Sequence, residues 1–303
     1  MFARRHPYLF FLLIFTLIVS VTLVALTTLI VAATGGDALD SQLTGDSNKI
    51  GVVEIKGGII EAELIIENIK RFREADTVKA ILLRIDTPGG AVGPSQEIYR
   101  ELRKTAAEKK IIASMGTVAA SGGYYVAAGA HGIMANPGTI TGSIGVVMGY
   151  TNFEALLRKI GLTPVVVKSG EFKDMGSPLR PMEEAERELL ESFILGIHRQ
   201  FVEAVAEGRN MPVSQVEPLA DGRIFSGEEA RKHGLIDRLG NFQDAVAWAA
   251  ELGGVEGTPD LVYGPEEAFS FLDFLTETAI NSIVEKTLDL SFFTGYLLQM
   301  PNH

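Results

Sequence analysis

A chain of 303 residues with a formal net charge of −11 and no cysteine offers no basic field for nucleic acid, which selects lysine and arginine patches. The missing cysteines exclude a thiolate nucleophile, a disulfide framework and a cysteine-ligated metal. No His-x-x-x-His pair, clustered carboxylates or Gly-x-x-x-x-Gly-Lys-Ser/Thr loop occurs, so neither a metal nor any other cofactor is expected.

From Tyr8 to Ala33 the chain carries no charge and is dominated by Leu, Ile, Val and Phe. As a helix this run is long enough to cross a hydrocarbon core of about 30 Å, and it reads as a transmembrane anchor. Arg4 and Arg5 precede it and Asp37, Asp40 and Asp46 follow, which puts the N-terminus in the cytoplasm and the bulk of the chain outside. The alternative is a cleaved signal peptide ending near Val31-Ala32-Ala33. The apolar run exceeds the usual h-region of about 7 to 15 residues and favours a retained anchor. Residues 1–33 are therefore read as cytoplasmic N-terminus and anchor, and residues 34–49, rich in Gly, Asp, Ser and Thr, as a linker.

Beyond the linker, apolar and amphipathic segments alternate. Ile50 to Ile55, Val78 to Ile85 and Ile111 to Met115 read as strands, and Ala62 to Ala75 and Ser95 to Lys109 as helices. This order predicts an α/β domain of βα units over residues 50–257, with its ligand site at the C-terminal ends of the strands. Pro181 to Gly208 reads as a long helix with Phe193, Ile197, Phe201 and Val205 at near-helical spacing, a stripe suited to core or subunit contact. Ser226 and Glu229 have capping-box spacing and start a short helix that Gly234 ends. Residues 258–303 form an acidic, aromatic-rich extension. Its apolar run Leu288 to Met300 is too short to span a bilayer.

Two glycine-rich motifs fall at predicted strand ends. A serine hydroxyl needs a base to take its proton and donors to hold the oxyanion formed after attack. Ala119-Ala120-Ser121-Gly122-Gly123-Tyr124-Tyr125 offers Ser121 as the nucleophile, with glycines that let a substrate carbonyl approach the backbone. Gly89-Gly90, after the turn Asp86-Thr87-Pro88, could supply a second N–H. Lys168-Ser169-Gly170-Glu171-Phe172-Lys173-Asp174 offers a lysine as the base. The competing reading is that Ser121 only caps the helix beginning near Gly122. Among the histidines, only His131 rivals a lysine base; it follows Ala127-Ala128-Gly129-Ala130 and is expected at the far end of the helix that starts at Ser121.

These blocks, with Thr141-Gly142-Ser143-Ile144-Gly145 between them, occur in an order that resembles the signal peptide peptidase A family of serine peptidases. The resemblance runs from about Lys49 to Gly240 and takes in Ala220-Asp221-Gly222-Arg223-Ile224-Phe225-Ser226-Gly227. It implies a ClpP/crotonase-like fold of repeated ββα units, with Ser121 as nucleophile and Lys173 as general base. It also implies that Ser143 hydrogen-bonds and orients the lysine amine, and that the N–H groups of Gly90 and Gly122 form the oxyanion hole. An exposed lysine has a pKa near 10.4, so a base at Lys173 must be desolvated, and Asp174 beside it is expected to point elsewhere.

The substrate class implied is apolar peptides, remnant signal peptides among them, cut on the extracytoplasmic side of the cytoplasmic membrane. For a short, single-catalytic-domain form the resemblance implies a homo-oligomer whose sites are completed between adjacent subunits. Two other classes stay open: a crotonase-type acyl-CoA enzyme, and an inactive membrane scaffold that binds peptides without cleaving them. The stretch Asp221-Gly222-Arg223 is read as scaffold, with Arg223 available to a carboxylate at an interface.

Overall fold

The computed structural model describes residues 6–43, 45 and 48–265. Arg4, Arg5 and Asp46, and the extension from residue 266 onward, lie outside the described residues. Helix α1 (Pro7–Gln42) comes first. Its portion Pro7–Leu29 has a mean hydropathy of 2.9 and no buried residues. At about 1.5 Å per residue it is long enough to cross a membrane. The helix does not stop at Ala33; the expected linker is helical through Gln42. Its end is fastened to the domain, since Leu39 is buried in the main core and the Thr77 hydroxyl donates to the Leu43 carbonyl at 2.6 Å. Leu39 and Leu43 supply apolar contacts that a composition reading of the polar residues around them overlooks.

The domain then runs β1 (Lys49–Ile59), α2 (Glu63–Glu74), β2 (Val78–Gly90), α3 (Val92–Thr105), β3 (Lys110–Ala120), α4 (Gly122–Ala127), β4 (Gly132–Ala135) and β5 (Ile140–Gly142). After them come α5 (Glu154–Lys159), α6 (Glu184–Gly208), α7 (Val213–Val216), β6 (Ile224–Ser226), α8 (Gly227–Lys232), β7 (Arg238–Leu239), α9 (Phe242–Gly253) and β8 (Asp260–Tyr263). The strands form one eight-stranded sheet in the order β6-β5-β3-β2-β1-β8, with β4 and β7 branching from β3. All pairings are parallel except β5 with β6. The strand β8 pairs with β1, so residues 260–263 belong to the sheet and not to the C-terminal extension that sequence assigned them to. Its Leu261-Val262-Tyr263 core has the β-branched and aromatic character that strands favour.

Period-two alternation explains both faces of the sheet. Ile50, Val52, Ala80, Leu82 and Ile112 pack on α9 through Ala245, Trp248 and Ala249. Their neighbours Val53, Ile55, Ile81, Leu83, Ile111 and Ala113 face the larger core, which holds Phe72, Ile98, Leu102, Tyr124 and Phe201 from the other helices. A sheet covered on both sides has its ligand-binding edge at the strand ends, and β2 and β3 both reach further there than their apolar runs indicated.

Candidate active site

β2 and β3 carry a register irregularity near their C-terminal ends, between Ile85 and Thr87. The Asp86 carboxylate fills it by accepting from the Val118 N–H at 3.1 Å. Beyond this point β3 changes neighbour: Ile112 to Ser114 pair with β4, whereas Val118 to Ala120 pair with β5. The next residue is Ser121, whose backbone has φ 53° and ψ −119°. A non-glycine residue in that region costs roughly 1–3 kcal/mol and points to a functional constraint. Two contacts hold it there: the Ser121 N–H donates to the Gly142 carbonyl at 2.9 Å, and the Ser121 carbonyl accepts from the Tyr125 N–H at 2.9 Å.

The Ser121 hydroxyl does not cap helix α4. The capping reading therefore fails; among the described residues the hydroxyl makes no hydrogen bond, and it stands at the mouth of a cleft. Gly90, Gly122 and Ser95 lie beside it, and Val92, Tyr125, Gly145, Val146, Ile197 and Phe201 form the walls. The glycines are there for closeness. Gly89 has φ 108°, and a Cβ on it would stand 2.7 Å from the Gly122 nitrogen. A Cβ on Gly122 would lie 3.2 Å from the Gly90 nitrogen and 2.5 Å from Ser95 Oγ. The Gly122 N–H is the first of helix α4, where no intrahelical acceptor is available. Thr87 shapes the turn that brings Gly90 in: its hydroxyl bonds the Gly57 carbonyl and accepts from the Gly89 N–H at 3.0 Å.

Helix α4 is pinned at its first turn by Tyr124, whose phenol donates to the Leu235 carbonyl at 2.8 Å. Burial pushes this phenol well above its ordinary pKa. Tyr125 stacks at 4.7 Å on Phe201, which α6 delivers to the cleft. Ile197 and Phe201 were legible in sequence only as an apolar stripe; their place in the cleft wall depends on how α6 crosses the strand ends.

Ser143 has φ 51° and is partly buried, and its N–H donates to the Arg223 carbonyl at 2.8 Å. The Gly222 N–H donates to the Ile144 carbonyl at 3.1 Å. The Asp221-Gly222-Arg223 stretch is thus the scaffold of the Ser143 segment. The Arg223 side chain pairs within its own turn, with Asp221.

Lys173 is not in the cleft of this chain. It is exposed, on a run of tight turns in which its N–H donates to the Gly170 carbonyl at 3.2 Å. Among the described residues its Nζ makes no hydrogen bond or ion pair. Asp174 does point elsewhere, as expected: its carboxylate accepts from Lys168 Nζ at 2.7 Å and Arg180 Nε at 2.9 Å. Arg180 and then Lys168 hold that carboxyl well below its ordinary range. Arg180 also forks onto Glu186, in the first turn of α6, with one arm at 2.9 Å. Arg180, helped by the Glu183 N–H, draws the Glu186 carboxyl down to about 2.

His131 cannot replace the lysine as base. Its Nδ1 accepts from the Ile111 N–H at 3.1 Å, at the opposite end of β3 from Ser121. At about 3.3 Å per residue those ends are roughly 30 Å apart. Burial lowers the pKa of this imidazole, in keeping with its Nδ1 acting as an acceptor. No group of His, Asp or Glu able to hold a metal occurs among the described residues.

Comparison with known proteins places this geometry. The family model described as Clp protease matches residues 53–141, the range that holds Gly90, Ser121 and Gly122, and the α/β fold is ClpP-like. The chain is 44% identical over 221 residues to "Putative protease slr0021" of Synechocystis sp., covering 72% of this chain and 79% of that one. It is 37% identical over 223 residues to "Serine protease SPPA, chloroplastic" of Arabidopsis thaliana, covering 69% of this chain and 33% of the plant protein. With "Protease 4" of Haemophilus influenzae it shares 35% identity over 217 residues, covering 68% of this chain and 35% of that relative. The chain thus spans about a third of the length of the last two. The family model described as Peptidase family S49 matches residues 103–256, half of the chain, from the last turn of α3 to just past α9. By that match and by the extent of its likeness to these proteases, the chain belongs to peptidase family S49 and is a peptidase.

Proposed function

We propose that the protein is a membrane-anchored serine endopeptidase in which Ser121 is the nucleophile and Lys173 the general base, acting on apolar peptides such as remnant signal peptides outside the cytoplasmic membrane. The observation that carries this reading is the strained Ser121, its hydroxyl uncommitted, set against the closely approaching backbones of Gly90 and Gly122. Strain of this kind persists where it presents a side chain to a reactant.

Ser121 Oγ attacks the scissile carbonyl carbon while Lys173, as the free amine, takes the hydroxyl proton. The N–H groups of Gly90 and Gly122 hold the resulting oxyanion. The C–N bond then breaks, and Lys173 passes its proton to the leaving amine. A water, deprotonated by Lys173, attacks the acyl ester and frees the acid, and the proton returns to Ser121 Oγ. Ser143 would orient the amine without adding a negative charge. The wall residues Val92, Tyr125, Val146, Ile197 and Phe201 suit apolar side chains, and an apolar helix such as Pro7–Leu29 would concentrate enzyme and substrate at one surface. Arg4 and Arg5 before that helix favour the extracytoplasmic side for the domain.

A single chain keeps Lys173 outside its own cleft, which supports sites shared between subunits. Exposed valines also stand in the chain before Lys173: Val147, Val165 and Val167 are 59%, 86% and 97% exposed. Monomers rarely leave such patches bare, and a second copy of the chain is the covering surface that this reading requires. The test mixes Ser121→Ala with Lys173→Ala, each inactive alone on a fluorogenic apolar peptide. Coassembly should restore part of the wild-type rate. An acylating inhibitor should label Ser121 in wild type. Retained hydrolysis in both single variants would overturn the dyad, and no recovery on mixing would overturn the shared site.

A further inference from the structure

A general-base lysine followed directly by an aspartate has a liability: the carboxylate favours the ammonium form, which cannot accept a proton. The structure meets it with cations. Asp174 Oδ1 accepts from Lys168 Nζ at 2.7 Å, Oδ2 accepts from Arg180 Nε at 2.9 Å, and the Asp174 carbonyl accepts from Arg180 at 3.3 Å. Arg180 in turn forks onto Glu186, which is only 2% exposed, while the Glu183 carboxylate stands 4.0 Å from it. Lys168 donates as well to the Glu171 carbonyl at 2.7 Å. Lys168, Asp174, Arg180 and the buried Glu186 sum to zero charge. Glu183, in looser contact and exposed, adds little.

Resting on the dyad reading above, we propose that Arg180 is a positioning residue for the base: it neutralises Asp174 and ties the Lys173 turn to the first turn of α6. That helix carries Ile197 and Phe201 into the cleft about three and four turns further on. One guanidinium therefore sets both the charge on the segment that carries the base and the place of its turn on α6, whose far end lines this chain's own cleft. Loss of Arg180 leaves the cluster with a net charge of about −1 beside Lys173, and the ammonium form is favoured.

The experiment is the pH profile of kcat/KM for the full-length protein and its variants. Arg180→Gln is expected to move the acid limb to higher pH and lower kcat/KM at pH 7 by about three- to tenfold, with the alkaline plateau less affected. Arg180→Lys, which keeps the charge but loses the fork, should return the limb towards wild type. Asp174→Asn/Arg180→Gln should also return it, because the cluster is neutral again. Asp174→Asn alone should move the limb to lower pH, and this variant decides the matter if Arg180→Gln does not fold. A loss that is equal at every pH, and is shared by Asp174→Asn, would overturn the proposal in favour of a scaffold. If the wild type has no acid limb, or Lys173→Ala stays active, it is the dyad that falls.

Discussion

Gly122 and Gly90 approach so closely that a methyl group on the first would sit 3.2 Å from the amide nitrogen of the second. On the proposed reading, that gap is the space in which a substrate oxygen would meet both donors. Gly122→Ala would place its methyl there and also press on Ser95 Oγ at 2.5 Å. The substitution keeps the Gly122 N–H, but a methyl that bars a substrate oxygen from it equals the loss of one oxyanion donor, which typically costs about a hundredfold or more in kcat. The expected result is a fall of that order in kcat with the peptide substrate, while circular dichroism keeps its native shape. A variant with wild-type kcat would remove Gly122 from the oxyanion hole.

Strain at Ser121 predicts a separation of activity from stability. Ser121→Ala and Ser121→Gly should both be inactive, yet only glycine relaxes the φ of 53°. Relief of roughly 1–3 kcal/mol outweighs the glycine entropy cost of about 0.5–1 kcal/mol. Ser121→Gly should therefore melt above Ser121→Ala by a few degrees in calorimetry. Equal or reversed melting temperatures would mean that the backbone carries no strain there.

Three tyrosines pack around the cleft helices with phenol pKa values raised by burial: Tyr99 to about 12, Tyr124 and Tyr125 in the same direction. A folded-state value above the unfolded one means that the native state holds its proton more tightly. The resulting stability is complete below the unfolded value of about 10 and is lost as pH rises through the folded values. Denaturant midpoints should stay level up to about pH 9 and fall steeply beyond about pH 10.5. Tyr99→Phe should soften that fall. A midpoint that holds to pH 12 would contradict the assigned direction.

Much of the framework was readable from residue order. The apolar runs of β1, β2 and β3 and the helices between them stand where alternation predicted, and Ser226 caps α8 through the reciprocal bonds with Glu229 that its spacing implied. The ends of β2 and β3 were not readable. They continue through Thr87-Pro88-Gly89-Gly90 and Gly116-Thr117-Val118 because Asp86 bridges the irregularity, a tertiary contact that no local propensity encodes. For the same reason, the buried Leu39 at the end of α1 escaped a composition-based linker reading. At the candidate site, Ser121, Gly90 and Gly122 come together within one chain. Lys173 does not join them: it lies exposed on a run of tight turns outside the cleft, a placement that no local propensity encodes.

The fork in β3 has a mechanical consequence. Only its last three residues pair with β5, and through β5 with the antiparallel strand β6. Ser121 hangs from that small ribbon by the Gly142 carbonyl, and Ser143 by the carbonyl of Arg223. The two serines therefore hang from the same short ribbon. Any shift of that ribbon against the rest of the sheet would carry both hydroxyls with it.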